Sequence, residues 1–124
     1  MNYSYVHTNF NVFDLDKSLA FYKEALGLEE ARRKEAKDGS FIIVYLKDKG
    51  GRGELELTWL RDRDKPYDLG DEEFHICYTT DDYNASLKHH QEMGVVEFIN
   101  EEMGIYFILD PDGYWVEIVP ARDR

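Results

Sequence analysis

The chain has 124 residues, 26 of them acidic and 15 basic, for a net charge of −11, and it is 43% hydrophobic and 15% aromatic. That apolar content suffices for one packed domain and excludes a disordered chain. The negative field repels phosphate backbones and anionic lipid, so nucleic acid and membrane surfaces are excluded as partners and a divalent cation is favoured.

One cysteine, Cys77, forbids a disulfide within the chain and predicts a reducing, cytoplasmic setting. Embedded in Phe74-His75-Ile76-Cys77-Tyr78, it is expected to be a buried structural thiol. Met1-Asn2-Tyr3-Ser4-Tyr5 lacks the basic and apolar regions of a signal peptide. No apolar run approaches the roughly 18 residues of a membrane span, so the protein is expected to stay where it is made.

In chain order, residues 5–12 alternate as a strand, with Val6, Phe10 and Val12 on one face and Tyr5, His7, Asn9 and Asn11 on the other. Asp14 or Asp16 then caps a helix whose stripe is Leu15, Leu19, Tyr22 and Leu26, and Gly27 stops it. Strands over 28–37 and 40–47 are joined by Asp38-Gly39, a tight-hairpin pair. After the turn Lys49-Gly50-Gly51-Arg52-Gly53, residues 54–60 alternate, sending Leu55, Leu57 and Trp59 one way and Glu54, Glu56 and Thr58 the other. Residues 61–72 are charged, contain Pro66 and Gly70, and have no period, so they read as a connector.

The plan then restarts. A strand over 73–79, a helix from Asp81 or Asp82 to Gly94, and strands over 95–100, 105–110 and 114–119 follow. A shift of 68 positions lays His7 on His75, Asp14 on Asp82, Ser18 on Ser86, Leu19 on Leu87 and Glu24 on Glu92. Glu56 and Glu117 both sit in the last strand of their half. The fold class is therefore α+β, built as two tandem β-α-β-β-β modules, about 3–61 and about 73–120, within one domain spanning 1–124.

Each module offers one histidine and one glutamate on strands. Glu117, inside Tyr114-Trp115-Val116-Glu117-Ile118-Val119, either points to water by the period of two or is a buried carboxylate that requires a partner. His7, Glu56, His75 and Glu117 together form a two-imidazole, two-carboxylate set suited to nickel, cobalt, manganese or iron; the alternative is a solvated groove without metal. His89 and His90, on the second helix among charged neighbours, are expected at the surface. Trp59, Trp115, Phe41 and Tyr106 either line an apolar pocket or belong to the core.

His7-Thr8, Asp14-Leu15 with Ser18, Phe21-Tyr22 and Leu26-Gly27-Leu28, Leu55-Glu56-Leu57-Thr58, His75-Ile76, and Asp110-Pro111-Asp112-Gly113-Tyr114 with Glu117 resemble bacterial glyoxalase I. This is the lactoylglutathione lyase family of the vicinal oxygen chelate superfamily, whose fold forms curved mixed sheets. The resemblance runs nearly end to end. It implies that His7, Glu56, His75 and Glu117 ligate a divalent metal, nickel or cobalt in preference to zinc, manganese or iron. It also implies a cytoplasmic homodimer whose sites lie at the subunit interface.

The implied reaction converts the hemithioacetal of methylglyoxal and a thiol into a hydroxyacyl thioester through a metal-bound enediolate. Glu117 would move the proton, with Glu56 as the second catalytic carboxylate. Family members that use glutathione carry an arginine and an asparagine where this chain has Asn11 and Leu60, so another low-molecular-weight thiol is also open. Arg32, Arg33, Lys34, Lys37 or Arg52 could compensate, or simply solvate their strand and turns. The alternatives are another enzyme of the superfamily (an epimerase, a thiol transferase or a dioxygenase) or a metal-free protein that binds a small ligand or drug.

Overall fold

The computed structural model describes residues 1–123, which form two compact units, Met1–Tyr67 and the residues from Asp68 onward. The boundary falls inside the expected connector. Each unit is one β-α-β-β-β module.

The first unit contains β1 (His7–Asn11), α1 (Leu15–Leu26), β2 (Glu29–Glu35), β3 (Phe41–Lys47) and β4 (Glu54–Leu60). Its sheet has the order β1-β4-β3-β2, with β1 and β4 parallel and the other pairs antiparallel. The second unit repeats this with β5 (His75–Thr80), α2 (Tyr83–Met93), β6 (Val96–Asn100), β7 (Ile105–Leu109) and β8 (Trp115–Pro120), in the order β5-β8-β7-β6. Even the irregularities repeat. Each outer strand slips register once, between Glu30 and Arg32 in β2 and between Val96 and Phe98 in β6.

Both helices end as their sequences require. The Asp14 and Asp82 carboxylates accept from the backbone N–H groups of Lys17 and Ala85, satisfying donors that the first helical turn leaves open. Gly27 and Gly94 close the C-termini in the left-handed region, at φ 67° and 73°, where a Cβ would be strained.

In each unit the helix covers one sheet face, and that face holds the core. Phe10, Val12, Val44, Leu46, Leu55 and Leu57 are buried beside Leu15, Ser18, Phe21, Tyr22 and Ala25 of α1. The stripe of α1 is thus rotated from the expected one: Leu19 and Leu26 are only half-buried, because small Ser18 and Ala25 let the helix approach the sheet. β2 is exposed along its whole length, and its charged side chains protect a sheet edge.

Two expectations fail in the second unit. His90 is buried, at 2% exposure, where a surface position was expected. Its Nδ1 meets the Tyr106 hydroxyl at 2.7 Å, and Ser86 Oγ meets the same hydroxyl at 2.5 Å. This hydrogen-bonded cluster offsets the cost of taking an imidazole out of water. Cys77 is exposed, where burial was expected, because it alternates with Ile76 and Tyr78 onto the uncovered face of β5. Among the described residues no helix is long and apolar enough to cross a membrane.

The Asp110-Pro111-Asp112-Gly113 turn aims β8. The buried Asp110 carboxylate accepts from the backbone N–H groups of Asp112 and Tyr114, both at 2.9 Å. Asp110→Ala is expected to lower the unfolding free energy by about 1–3 kcal/mol in denaturant titration, with Asp110→Asn costing less because it keeps the acceptor oxygen.

Burial pushes the Tyr106 phenol up to about 12, against the opposing hydrogen bond from Ser86. Folding therefore favours the neutral phenol, so its stabilising contribution is complete below its ordinary value of 10.0 and is lost as the pH rises towards about 12. In Tyr106→Phe, the fall of unfolding free energy across this window should be shallower than in the parent by up to one proton, about 1.4 kcal/mol per pH unit.

Candidate metal centre

Parallel pairing of the first and last strands sets the site geometry in each unit. His7 pairs with Glu54 and Asn9 with Glu56, so Glu56 lies one diagonal step from His7 on the same face. His75 pairs with Trp115 and Cys77 with Glu117, which repeats the step. The result, within each unit, is a His–Glu donor pair on the sheet face left open by its helix. His7 Nε2 lies 3.5 Å from Glu56 Oε1, and His75 Nε2 lies 3.2 Å from Glu117 Oε1. The glutamates are mostly covered, at 13% and 12% side-chain exposure, and the imidazoles are more open, at 35% and 44%.

These separations suit a shared cation. With bonds of about 2.0–2.2 Å, adjacent donors around a first-row metal stand about 3.0–3.5 Å apart. A neutral imidazole beside a carboxylate supplies borderline nitrogen and hard oxygen, the chemistry of nickel, cobalt, iron, manganese and zinc sites. Within either unit, no third His, Cys, Asp or Glu joins the pair among the described residues. Each pair offers two donors.

The surroundings of the two pairs differ. In the first unit the wall is polar. Tyr45 of β3 stands opposite Glu56. The neighbouring Glu56 carboxylate, with burial adding to it, holds the Tyr45 phenol above its ordinary range. The Arg32 guanidinium lies 4.0 Å over the Tyr45 ring and is anchored by Glu54 at 2.7 Å; the His7 ring meets Tyr45 edge-on at 5.9 Å. The Asn9 amide completes this wall. A carboxylate only accepts, so the amide nitrogen must face it, and in that orientation it donates to Glu56 Oε1 at 2.9 Å and to Thr58 Oγ1 at 2.6 Å.

In the second unit the wall is aromatic. Phe107 stands opposite Glu117 and meets His75 edge-on at 5.3 Å, with Trp115 5.4 Å and Phe98 6.5 Å from Phe107. The buried Trp115 Nε1 has no hydrogen-bond acceptor among the described residues, an open donor beside the His75–Glu117 pair. Of the four aromatic candidates, Trp115 and Phe41 alternate onto the site faces, whereas Trp59 and Tyr106 alternate towards the helices.

The Asn11 amide lies 3.5 Å from the Tyr67 hydroxyl, and Leu60 is exposed. Arg32 and Lys34 both reach the site face, their cations 4.0 and 6.0 Å from the centre of the Tyr45 ring, whereas Arg33 makes a bidentate pair with Glu30 at 2.7 Å. Sequence reading missed Tyr45 as a site residue. The usable signal was its alternation with Val44 and Leu46, which puts it on the face of Glu56 once the strands are paired.

Residues 4–118 match the model of the glyoxalase/bleomycin resistance protein/dioxygenase superfamily. The chain is 32% identical to a lactoylglutathione lyase of Pseudomonas aeruginosa, over 96% of this chain and 83% of that one. It is 35% identical to the lactoylglutathione lyase of Neisseria meningitidis, over 94% and 90% of the two chains. Among solved structures it is similar to the trypanothione-dependent glyoxalase I of Leishmania major, with a TM-score of 0.87 and 26% identity over 98% of this chain and 89% of that one. With both modules, their strand order and nearly the full length of these relatives in common, the chain belongs to the glyoxalase/bleomycin resistance protein/dioxygenase superfamily and, within it, to the glyoxalase I family of lactoylglutathione lyases.

Proposed function

We propose that this protein is a glyoxalase I-type lyase that isomerises the hemithioacetal of methylglyoxal and a low-molecular-weight thiol to a hydroxyacyl thioester, with residues 1–124 acting as one domain. Family membership implies a divalent metal, and nickel or cobalt is the favoured ion. His7 and Glu56 hold it from one module, and His75 and Glu117 from the other. The observation that carries this reading is the repeated His–Glu pair, set at the same diagonal step of the same strand pairing in both modules.

When bound, the ion supplies a Lewis acid that stabilises negative charge developing on oxygens beside the reacting carbon. Glu117 takes the proton from the thiol-bearing carbon and returns it to its neighbour. The Phe107 and Trp115 rings flank this carboxylate. Trp115 Nε1 is available to an acceptor on the substrate or on a second subunit. Glu56 is the second carboxylate. The family resemblance implies a homodimer, and we place the complete site, with two donors from either subunit, at its interface. A cytoplasmic location accords with the single cysteine.

The decisive assay strips the protein with a chelator, restores nickel, cobalt, zinc, manganese or iron in turn, and follows thioester formation from methylglyoxal with glutathione and other thiols. Activity is expected to vanish on stripping and to return best with nickel or cobalt; inactivity under every combination rejects the reading. Glu117→Gln should lower kcat by roughly 10²–10⁴-fold.

Subunit mixing tests the interface. His7→Ala and His75→Ala should each be inactive alone. If sites combine modules from different subunits, exchange between the two variants restores one intact site in each mixed dimer, hence roughly a quarter of parental activity at random assortment. No recovery after demonstrated exchange places each site within one subunit.

A further inference from the structure

A cation is built into the first unit just past the end of β4, next to the open face of its sheet. The chain leaves β4 at Leu60, and residues 61–67 belong to the same unit. Tyr67 brings this segment back to the sheet, its hydroxyl 3.5 Å from the Asn11 amide. Asn11 shares its face with His7 and Asn9, and it pairs with Thr58, two residues beyond Glu56. The Tyr67 contact therefore lies about 7 Å along the strands from the level of Glu56, the length of two extended residues.

Arg63 is held on Tyr67. Its guanidinium carbon lies 4.1 Å from the centre of the Tyr67 ring, its Nε donates to the Lys65 carbonyl at 2.7 Å, and its Nη2 donates to the Pro66 carbonyl at 2.9 Å. Arg63 and Tyr67 are half-buried among neighbours that are mostly exposed. These two carbonyls and the ring are neutral, so they fix the position of the charge without cancelling it. Asp62 beside it is engaged by Arg61 at 3.0 Å. Arg32, the other arginine at this face, is tied to the Glu54 carboxylate at 2.7 Å.

The Nε and Nη2 bonds use one edge of the guanidinium and leave the Nη1–Nη2 edge to meet a planar anion with two parallel hydrogen bonds. A chain of net charge −11 repels anionic substrates at long range, so a preorganised cation at the end of the site face matters most to a substrate that carries a carboxylate.

We propose that Arg63 determines specificity by binding a carboxylate of the thiol cosubstrate, and that Tyr67 holds it at the Asn11 end of the site face. This inference rests on the functional reading above and adds the class of thiol to it. The thiol is peptide-like, with its carboxylate about two residue lengths from the reacting centre, and is not a small neutral thiol.

The test compares glutathione, its diethyl ester and 2-mercaptoethanol as thiols for the metal-loaded protein. The preference for glutathione over the ester, as a ratio of kcat/KM, should fall roughly 10–100-fold in Arg63→Gln, with the loss carried by KM and not kcat. Calorimetry with S-methylglutathione, which has no reacting carbon, reads the contact without turnover, and its affinity should fall by a similar factor.

A ratio in Arg63→Gln within about twofold of wild type overturns this inference alone, because thioester still forms. Wild-type protein that uses the ester or 2-mercaptoethanol as well as glutathione, or uses only neutral thiols, also overturns it alone. Wild-type protein that forms no thioester with any metal or thiol overturns the functional reading. In that case, loss of S-methylglutathione binding in Arg63→Gln would still support the carboxylate contact, and binding that is absent or unchanged would remove it too.

Discussion

Everything at the candidate centre depends on the parallel pairing of the first and last strands in each module. Side chains alternate along a strand, so a one-residue slip would send His7 or Glu56 to the helix-covered face and separate the pair. The register is held from the opposite side of the sheet. Phe10, Leu55 and Leu57 must face α1, and Val116 and Ile118 are buried on the helix side of β8. Each fully buried aliphatic side chain is worth about 1.5–3 kcal/mol, so the core enforces the site geometry without contributing a ligand.

The glutamates at the centre of these sheets would be a liability without partners. Both are largely covered, and an isolated carboxylate in such a position costs several kcal/mol or takes up a proton. Each module sets an imidazole beside its glutamate, with a polar wall in the first and an aromatic wall in the second. Duplication of one module thus supplied two equivalent His–Glu pairs, and different side chains at the neighbouring register positions gave them different surroundings.

The second module carries a separate polar cluster that takes no part in this centre. His90, Ser86 and Tyr106 satisfy one another between α2 and β7, on the face opposite Glu117. Ser86 is the repeat counterpart of Ser18, which is buried in α1 of the first module. A small residue at this helical position allows close approach to the sheet in both halves.

What the amino-acid order determined by itself was whatever depends on local chemistry. Asp14 and Asp82 announced the helix starts, Gly27 and Gly94 their ends, and Asp38-Gly39 the hairpin, while alternation in 54–60 set the bounds of β4. The shift of 68 positions exposed the duplication, and with it the four donor residues and the family. Only the tertiary structure decided which neighbours those residues would have. His90 sits among charged residues in sequence but is buried because α2 turns it towards Tyr106, and Cys77 sits among apolar residues but faces outward. Tyr45 and Glu56 are separated by a glycine-rich turn, and no local pattern states that their strands pair in the register that sets the two residues opposite each other. Local preferences act over a few bonds, whereas a side chain's partners are set by contacts between strands distant in the chain, which exist only once the sheet has formed.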